Sequence, residues 1–393
     1  MKKILFNLTK LALTVLILYL IFKKFQISWD DIKTALSQSR WEWILIAILT
    51  QIIAISFSIM RWRVLLLAQK LKVPFGHLTK TYLVGRFLGT FTPTGVGLEA
   101  YKAYDIARYT KKGAESVTVV FVEKFLTLLA LSVLMLITLP TVKLNTMFIG
   151  VFFIFFFVIL LILLILIFKA SILDSIAKRL PFYGKTSGYI DKTVKSFERF
   201  KNTKGAMGTA IVYGVLVYLF LFSTYYANGV ALRVGSPEEG QLYTTVLNKN
   251  IERNLSGLGI EYITQDKDEN KVEIFLSLPE YHKLSSLGLE LSPIKSDYTR
   301  KGLGLGDVLS VGPLTQIATM IPLSIAGIGL REGAFSGLLR SKGIWVGQRV
   351  VLTATMWYFV SVSVNIIGAI IFLTRRTDYE TKITKEEFQR ITT

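Results

Sequence analysis

Long apolar runs dominate this chain, and its polar residues are gathered between them. A helix needs ~20 residues to cross a hydrocarbon core of ~30 Å. Six apolar segments meet or approach that length, near residues 4–22, 42–60, 116–139, 146–168, 207–232 and 346–373. The pattern predicts an all-α polytopic membrane protein with six spanning helices.

Two further segments, 78–112 and 308–340, are moderately apolar but interrupted by proline and glycine. Thr90–Ala100 reads TFTPTGVGLEA, and Thr319–Ala334 reads TMIPLSIAGIGLREGA. Each contains T-x-x-P, then G-x-G-L, then a glutamate. Proline and paired glycines break helices, and a carboxylate inside a membrane is costly unless it has a partner or a function. A repeated, charged helix break indicates the binding site of an inverted-repeat transporter.

The charge distribution predicts the orientation of the spans. The net charge is +19, but residues 237–306 have eleven acidic and eight basic side chains. Residues 61–80 hold five basic side chains and no acid, and residues 169–204 hold nine basic and three acidic ones. Because basic loops stay inside, these two loops and both termini are expected in the cytoplasm of a plasma-membrane protein, with the acidic stretch outside.

Six spans satisfy this orientation only if each interrupted segment enters and leaves on one side. Irregular backbone is tolerated at membrane depth where protein or water surrounds it, so both segments are expected to be re-entrant hairpins. The first would enter from the cytoplasm and the second from outside, which makes the repeat inverted. An alternative with eight full spans would place the basic loop 169–204 outside, and is disfavoured.

The N-terminal segment is expected to be a retained helix, because Lys23-Lys24 closes its apolar run and no small-residue cleavage site follows. Residues 235–305 should form a small α+β extracytoplasmic insertion, with a helix over Glu238–Gly257, two strands and a second helix. The predicted parts are 1–234, a first membrane part with re-entrant motif 78–112 and cytoplasmic amphipathic loop 169–204; 235–305, the soluble insertion; 306–376, a second membrane part with re-entrant motif 308–340; and 377–393, a cytoplasmic tail.

The sequence lacks the motifs that are typical of soluble enzymes. The chain has no cysteine and two histidines, and it lacks the common hydrolase, zinc-protease and nucleotide-binding motifs. We expect no catalytic residue, no metal and no cofactor. The basic charge lies beside apolar segments, so we expect contact with anionic lipid at the cytoplasmic face and not with nucleic acid.

Ionisable residues near the two helix breaks are the candidate site. The substrate-binding candidates are Arg86, Glu99, Lys102, Glu123, Arg331 and Glu332. The residues expected to shape the backbone are Pro93, Gly95, Gly97, Pro322, Gly327 and Gly329. The spacing puts Glu99 with Lys102, and Lys102 with Asp105, on one helix face. Trp62 is interpreted as an interfacial anchor.

These charges have two interpretations. They could neutralise one another and only hold the hairpins in place, although such buried pairs add little net stability. They could instead line a cavity for a charged head group, with broken helix ends contributing N–H groups. The coincidence of charge and helix break in both halves favours the cavity, near the membrane midplane between the two hairpins.

Several short strings resemble a known family. They are Arg61–Leu66, Gly85–Phe87, Pro93–Glu99, Glu123–Phe125 and Ile321–Ala334. They resemble the transmembrane region of lysylphosphatidylglycerol synthases, a family also described as flippase-like, over nearly the whole chain outside the insertion. The resemblance implies movement of a polar lipid between leaflets. The chain ends about twenty residues after the last predicted span, so the aminoacyl-transferring domain is expected to be absent.

The leading hypothesis is a flippase or transporter that moves an aminoacyl-phospholipid or a polyprenyl-linked glycolipid between leaflets, and is not an enzyme. One alternative is a membrane-embedded enzyme that acts on a polyprenyl-linked lipid. The other is a scaffold that acts through a protein partner bound to residues 238–300.

Overall fold

The computed structural model describes residues 36–90, 92, 96–138, 183–258, 260–265, 268–320 and 327–374, with isolated positions at 33, 140 and between 154 and 169. The predicted span 4–22 and the residues Pro93, Gly95 and Pro322 lie outside this part of the chain. The predicted span 146–168 is described only at isolated positions.

Eleven helices are assigned in the described residues: α1 Trp41–Ala68, α2 Phe75–Thr90, α3 Val96–Thr110, α4 Gly113–Thr138, α5 Tyr183–Lys201, α6 Lys204–Ala231, α7 Lys249–Leu258, α8 Leu278–Ser286, α9 Leu305–Thr319, α10 Leu330–Ser341 and α11 Gln348–Thr374. The strands are β1 Glu238–Glu239, β2 Gln241–Val246, β3 Tyr262–Gln265, β4 Asp268–Leu276, β5 Ser292–Ile294 and β6 Arg300–Lys301.

Four of these helices are long and apolar enough to cross a membrane: α1, α4, α6 and α11. They coincide with four of the six predicted spans. At 1.5 Å per residue a helix of 26 to 28 residues is ~40 Å long, so each can reach beyond the hydrocarbon core at its ends.

Each interrupted segment is a pair of helices around a break. In the first interrupted segment (motif 1, residues 78–112), helices α2 and α3 pack against each other across residues 91–95. In the second (motif 2, residues 308–340), helices α9 and α10 pack against each other across residues 320–329. Re-entry into a membrane and inversion of the repeat stay predictions.

The chain divides into two compact units. The motif-1 unit draws its described residues from Gln51–Ile137, Leu144–Leu221 and Ser361–Thr393, and so contains α2 to α5. The motif-2 unit draws its described residues from Met1–Thr50, Thr138–Lys143 and Phe222–Val360. It contains the α9–α10 pair and the insertion.

Within the motif-1 unit, α5 is hydrogen-bonded to Gln69, which directly follows α1 at the end that is predicted to face the cytoplasm. The Gln69 amide donates to the Ser196 backbone oxygen at 2.8 Å, and the Ser196 hydroxyl donates to the Gln69 side-chain oxygen at 2.9 Å. Phe197 and Phe200 are buried beside this contact. Helix α5 therefore docks through the residues around Ser196, and Arg199 adds an ion pair with Glu115 of α4 at 3.8 Å.

The insertion is an α+β module around an antiparallel sheet with strand order β3-β4-β2-β5. Its core includes Leu255 from α7, Val272 and Ile274 from β4, and Leu284 from α8. The expectation of one helix over Glu238–Gly257 was wrong, because β2 occupies the first half of that range. The segment QLYTTV is rich in β-branched and aromatic residues, and it pairs with both β4 and β5.

Salt bridges join the insertion to motif 2 inside this unit. The Arg300 guanidinium grips both carboxylate oxygens of Asp307, one of them at 2.9 Å, and Asp307 also accepts the Gly304 N–H at the start of α9. Lys342, just after α10, reaches Asp307 at 3.2 Å. Both arms of motif 2 are thus tied to the last strand of the insertion.

Another ion pair, between Lys301 and Glu280, lies within the insertion. Lys301 of β6 contacts the carboxylate of Glu280, which also accepts the Ser277 N–H at the start of α8. Burial acts to raise the pKa of Glu280, but the hydrogen bonds from Lys301 and Ser277 outweigh it, so the pKa lies below its usual value.

Candidate functional site

Small residues let the two arms of motif 1 approach closely. A Cβ on Gly97 would lie 2.9 Å from the Leu88 carbonyl oxygen, and one on Gly85 would lie 2.9 Å from the Leu98 side chain. The Thr92 hydroxyl accepts the Gly97 N–H at 2.9 Å, which satisfies a free donor at the start of α3. This close approach fixes where α3 presents its charged residues.

A four-residue charge network fills the interior of the motif-1 unit. The Lys102 ammonium donates to Glu123 Oε2 at 2.5 Å and to Glu99 Oε2 at 3.3 Å. Arg61 Nη2 donates to Glu123 Oε1 at 3.1 Å. Lys102 is 1 % exposed, whereas the Glu99 side chain is 27 % exposed. The network has two positive and two negative charges, and Glu99 is its accessible member.

Aromatic rings enclose the ammonium of this network. Lys102 Nζ lies 4.9 Å from the Trp62 ring centroid and 5.6 Å from that of Tyr82, within the range of cation–π attraction. Trp62 is 0 % exposed, so its interpretation as an interfacial anchor was wrong. The ring packs inside the unit, where it forms part of the aromatic wall around the Lys102 ammonium.

Arg86 belongs to a second network, made of neutral groups. Its Nε donates to Asn365 Oδ1 at 2.9 Å and its Nη2 to the Ser361 hydroxyl at 3.0 Å. The Asn365 amide donates in turn to Thr90 Oγ1 at 2.9 Å. Among the described residues, no carboxylate lies within ion-pair distance of Arg86. Its positive charge is therefore oriented but not neutralised.

Asp105 does not join Lys102, although the helical spacing predicted a shared face. Its carboxylate lies 2.8 Å from His77 Nε2 and accepts the Thr81 hydroxyl at 2.5 Å. The His77 ring also packs against Tyr109, with centroids 4.3 Å apart. Asp105 thus ties α3 to the start of α2 instead.

In motif 2, the break is shaped by glycines in the left-handed region. Gly327 has φ +72° and Gly329 has φ +84°, which L side chains adopt only with strain. Glu332 Oε2 accepts the Gly329 N–H at 2.7 Å and so caps α10. Glu332 is fully buried, and within the described chain its other oxygen has no hydrogen-bond partner.

Arg331 contacts different groups from its neighbour Glu332. Its guanidinium carbon lies 4.1 Å from the Trp357 ring centroid, and the residue is 3 % exposed. Tyr225 stacks on Trp357 and on Phe335, with centroids 5.7 and 5.2 Å apart. The motif-2 arginine is thus held by aromatic faces.

The structure therefore groups the predicted residues into separate networks. Glu99, Lys102 and Glu123 meet directly, Arg86 lies in its own network, and Arg331 and Glu332 lie in the motif-2 unit. A cavity shared by the two motifs stays a prediction.

Several members of these networks were not predicted. Arg61 enters the sequence analysis only as a loop charge and as part of a family string, and Tyr82, Ser361 and Asn365 are not among the candidate residues. Ser361 and Asn365 are four residues apart in an otherwise apolar span, and both are buried. Polar residues at helical spacing on one face of a membrane span are a signal that could have found this pair.

Four long apolar helices and buried networks of charge define a multi-pass membrane protein. Residues 7–235 match the family described as Lysylphosphatidylglycerol synthase TM region, and the chain belongs to that family. The predicted resemblance is thus confirmed, and the family indicates a lipid-related function. The match is to a transmembrane region, not to a catalytic domain, and it ends before the insertion and motif 2. No curated protein matches the chain.

Proposed function

We propose that this protein is a lipid flippase or transporter of the plasma membrane, which moves a phospholipid with a polar head group between leaflets. The observation that supports it best is Arg86, an oriented cation with no counter-charge among the described residues. Its described partners, Asn365, Ser361 and Tyr82, carry no formal charge, so the full positive charge is left for a phosphate.

Glu99 supplies the complementary charge. It is the accessible carboxylate of the motif-1 network, and its contact with Lys102 is a long one of 3.3 Å. Glu123 lies between two cations, so it is not available to a substrate. A head group with both a phosphate and an amine fits this pair better than a sugar chain, which favours an aminoacyl-phospholipid over a polyprenyl-linked glycolipid.

Glu332 is proposed as the group of motif 2 that responds to the transport cycle. A buried carboxylate with an unbonded oxygen is expensive when ionised. A cationic group of the substrate that meets this oxygen would lower the cost of its burial. Arg331 would assist by holding the substrate's anionic part near the aromatic wall.

The proposed environment follows the charge distribution. Both termini and helix α5 would face the cytoplasm, where the exposed basic side chains of α5 contact anionic lipid. The insertion would lie outside. No prosthetic group is needed for this cycle, because the charges that bind the head group come from the protein itself.

The test is exchange of fluorescent phospholipids between leaflets of vesicles that contain the purified protein. We expect Arg86→Gln to lower the exchange rate by about tenfold or more, since a lost charge-assisted hydrogen bond costs about 1.5–3 kcal/mol. The exchange rate of Arg86→Lys should lie between those of the wild type and Arg86→Gln. Lysine keeps the positive charge but lacks the forked guanidinium that bonds both Ser361 and Asn365.

Arg63→Gln is the matched control, since Arg63 is an exposed arginine of α1 that packs on the Phe75 ring. It should leave the rate unchanged. Absence of exchange for every phospholipid tested with the wild-type protein, or an equal rate for Arg86→Gln, would contradict the proposal.

A further inference from the structure

The motif-2 unit contains a cleft of about 170 Å³ where the insertion meets the ends of α6 and α11. Three cations and three carboxylates line it, together with Phe275 and Trp345. The lining includes Arg233, Glu238, Glu261, Lys301, Trp345 and Arg349. No part of motif 1 or of the proposed transport site lies in this lining.

Most of the charges in the cleft are already paired. Glu261 Oε1 lies 3.6 Å from Arg349 Nε and accepts the Arg349 backbone N–H at 3.0 Å, so this carboxylate caps the start of α11. Lys301 is bound by Glu280. These four groups build the walls and have little capacity left for a ligand.

Arg233 and Glu238 are the exceptions. The Arg233 Nε donates to the Gln38 backbone oxygen at 2.7 Å, and within the described residues no carboxylate lies within ion-pair distance of it. Glu238 stands opposite Lys301 in the β1–β6 pair, but that lysine is held by Glu280. Two opposite charges thus line one cleft without contacting each other, which leaves space for a ligand between them.

The walls between these charges are preformed. Gly302 has φ +81°, and a Cβ there would lie 2.1 Å from the Ser236 carbonyl oxygen, so two backbone segments cross in close contact. Trp345 donates its backbone N–H to Arg300 at 2.8 Å and stacks on Phe275 with centroids 6.3 Å apart. A rigid wall means that a ligand would lose little free energy to ordering of the protein.

We propose that this cleft binds a compact zwitterion of the phospho-amine class, with its phosphate on Arg233 and its ammonium on Glu238. The volume is below the roughly 300–1,000 Å³ of clefts for drug-sized ligands, which excludes an oligosaccharide. Arg233 follows the end of α6 by two residues, and Arg349 is the second residue of α11. Ends of spanning helices lie at the polar boundary of the bilayer, where phospholipid head groups are concentrated.

The first experiment titrates phosphoethanolamine into the purified full-length protein in nanodiscs of phosphatidylglycerol, by calorimetry. Saturable binding is expected, and Glu238→Gln should raise Kd by about tenfold, as for loss of one charge-assisted hydrogen bond. Glu239→Gln, the adjacent exposed carboxylate outside the cleft, should stay within about twofold of the wild type.

Arg233→Gln should weaken binding similarly, with the exposed Arg253→Gln as its control. Because Arg233 also bonds to Gln38, its variant could lose structure, whereas Glu238 makes no described side-chain bond that folding needs. Equal Kd values for wild type and Glu238→Gln, or no saturable binding, would overturn the proposal.

The second experiment identifies the source of the head group. The same titration is repeated in nanodiscs that contain phosphatidylethanolamine. A weaker apparent affinity for phosphoethanolamine shows that the lipid occupies the cleft, and an unchanged, Glu238-dependent affinity shows that the site takes the soluble molecule. Binding at this cleft is identified by its loss in Glu238→Gln, and transport by its loss in Arg86→Gln, so failure of this site and failure of the transport proposal are distinguishable.

Discussion

At the residue scale, the two glutamates of the motif-1 network have different tasks. Glu123 gives one oxygen to Arg61 and the other to Lys102, and it is buried with both cations. Glu99 has one long contact and partial exposure to its surroundings. The first neutralises the two cations in the interior of the unit, and the second keeps part of its carboxylate exposed.

Glu123→Gln is therefore expected to destabilise the protein by about 3–5 kcal/mol, because buried Arg61 loses its paired carboxylate and Lys102 loses the shorter of its two carboxylate contacts. Glu99→Gln should cost about 1 kcal/mol or less, since its pair is partly exposed. Thermal unfolding in detergent, followed by circular dichroism, measures both. Equal losses of stability would show that the two carboxylates are not distinguished in this way.

At the element scale, the closeness of α2 and α3 depends on positions without a side chain. Gly97 lies against the Leu88 oxygen, and Gly85 lies against Leu98. The Thr92 hydroxyl bonded to the Gly97 N–H closes the break. A side chain at these positions would separate the arms and move Lys102 relative to Glu123.

Gly97→Ala is predicted to destabilise the protein by about 1–3 kcal/mol through overpacking, and to lower lipid exchange. Gly76→Ala is the matched control, because no atom lies within 4 Å of the added methyl group at that helical position. It should be neutral or slightly stabilising, since alanine loses less conformational freedom on folding. The unfolding temperature and the exchange rate of both variants are measured in parallel. A Gly97→Ala variant with wild-type stability and exchange rate would contradict the prediction.

Elements were predictable where the signal is local. Helices α1, α4, α6 and α11 match predicted spans because length and apolarity decide whether a segment can cross a bilayer. Strand β2 was missed because its conformation depends on two partners, β4 and β5, that arrive later in the chain. A short segment of mixed polarity takes the conformation in which neighbouring segments can satisfy its backbone hydrogen bonds.

At the scale of the whole molecule, the insertion is not a loosely tethered module. Arg300 of strand β6 binds Asp307 at the start of α9, and Lys342 after α10 binds the same carboxylate, so the insertion is fastened to motif 2. The scaffold hypothesis proposes a protein partner that binds residues 238–300. Such a partner would act on motif 2 directly, through these salt bridges. The orientation of this unit decides which side of the membrane such a partner would occupy.

The absence of native cysteine makes that orientation directly measurable. With six spans and two re-entrant hairpins, Glu290→Cys in the insertion should react with an impermeant maleimide added to intact cells. Lys195→Cys in α5 should react only after permeabilisation. Both positions are exposed. The reverse result is the one that eight full spans predict, and it would remove the argument for an inverted repeat.

The amino-acid sequence alone decides which segments can cross the membrane, where glycine and proline end helices, and which ionisable residues accompany those breaks. These properties follow from side-chain polarity and local backbone preference. The tertiary structure decides which charges neutralise one another. Glu123 pairs with Arg61, 62 positions away, and Arg86 finds Asn365, 279 positions away. Charge pairing needs contact within a few ångströms, and only the packing of α2 and α3 with their neighbouring spans brings those atoms that close.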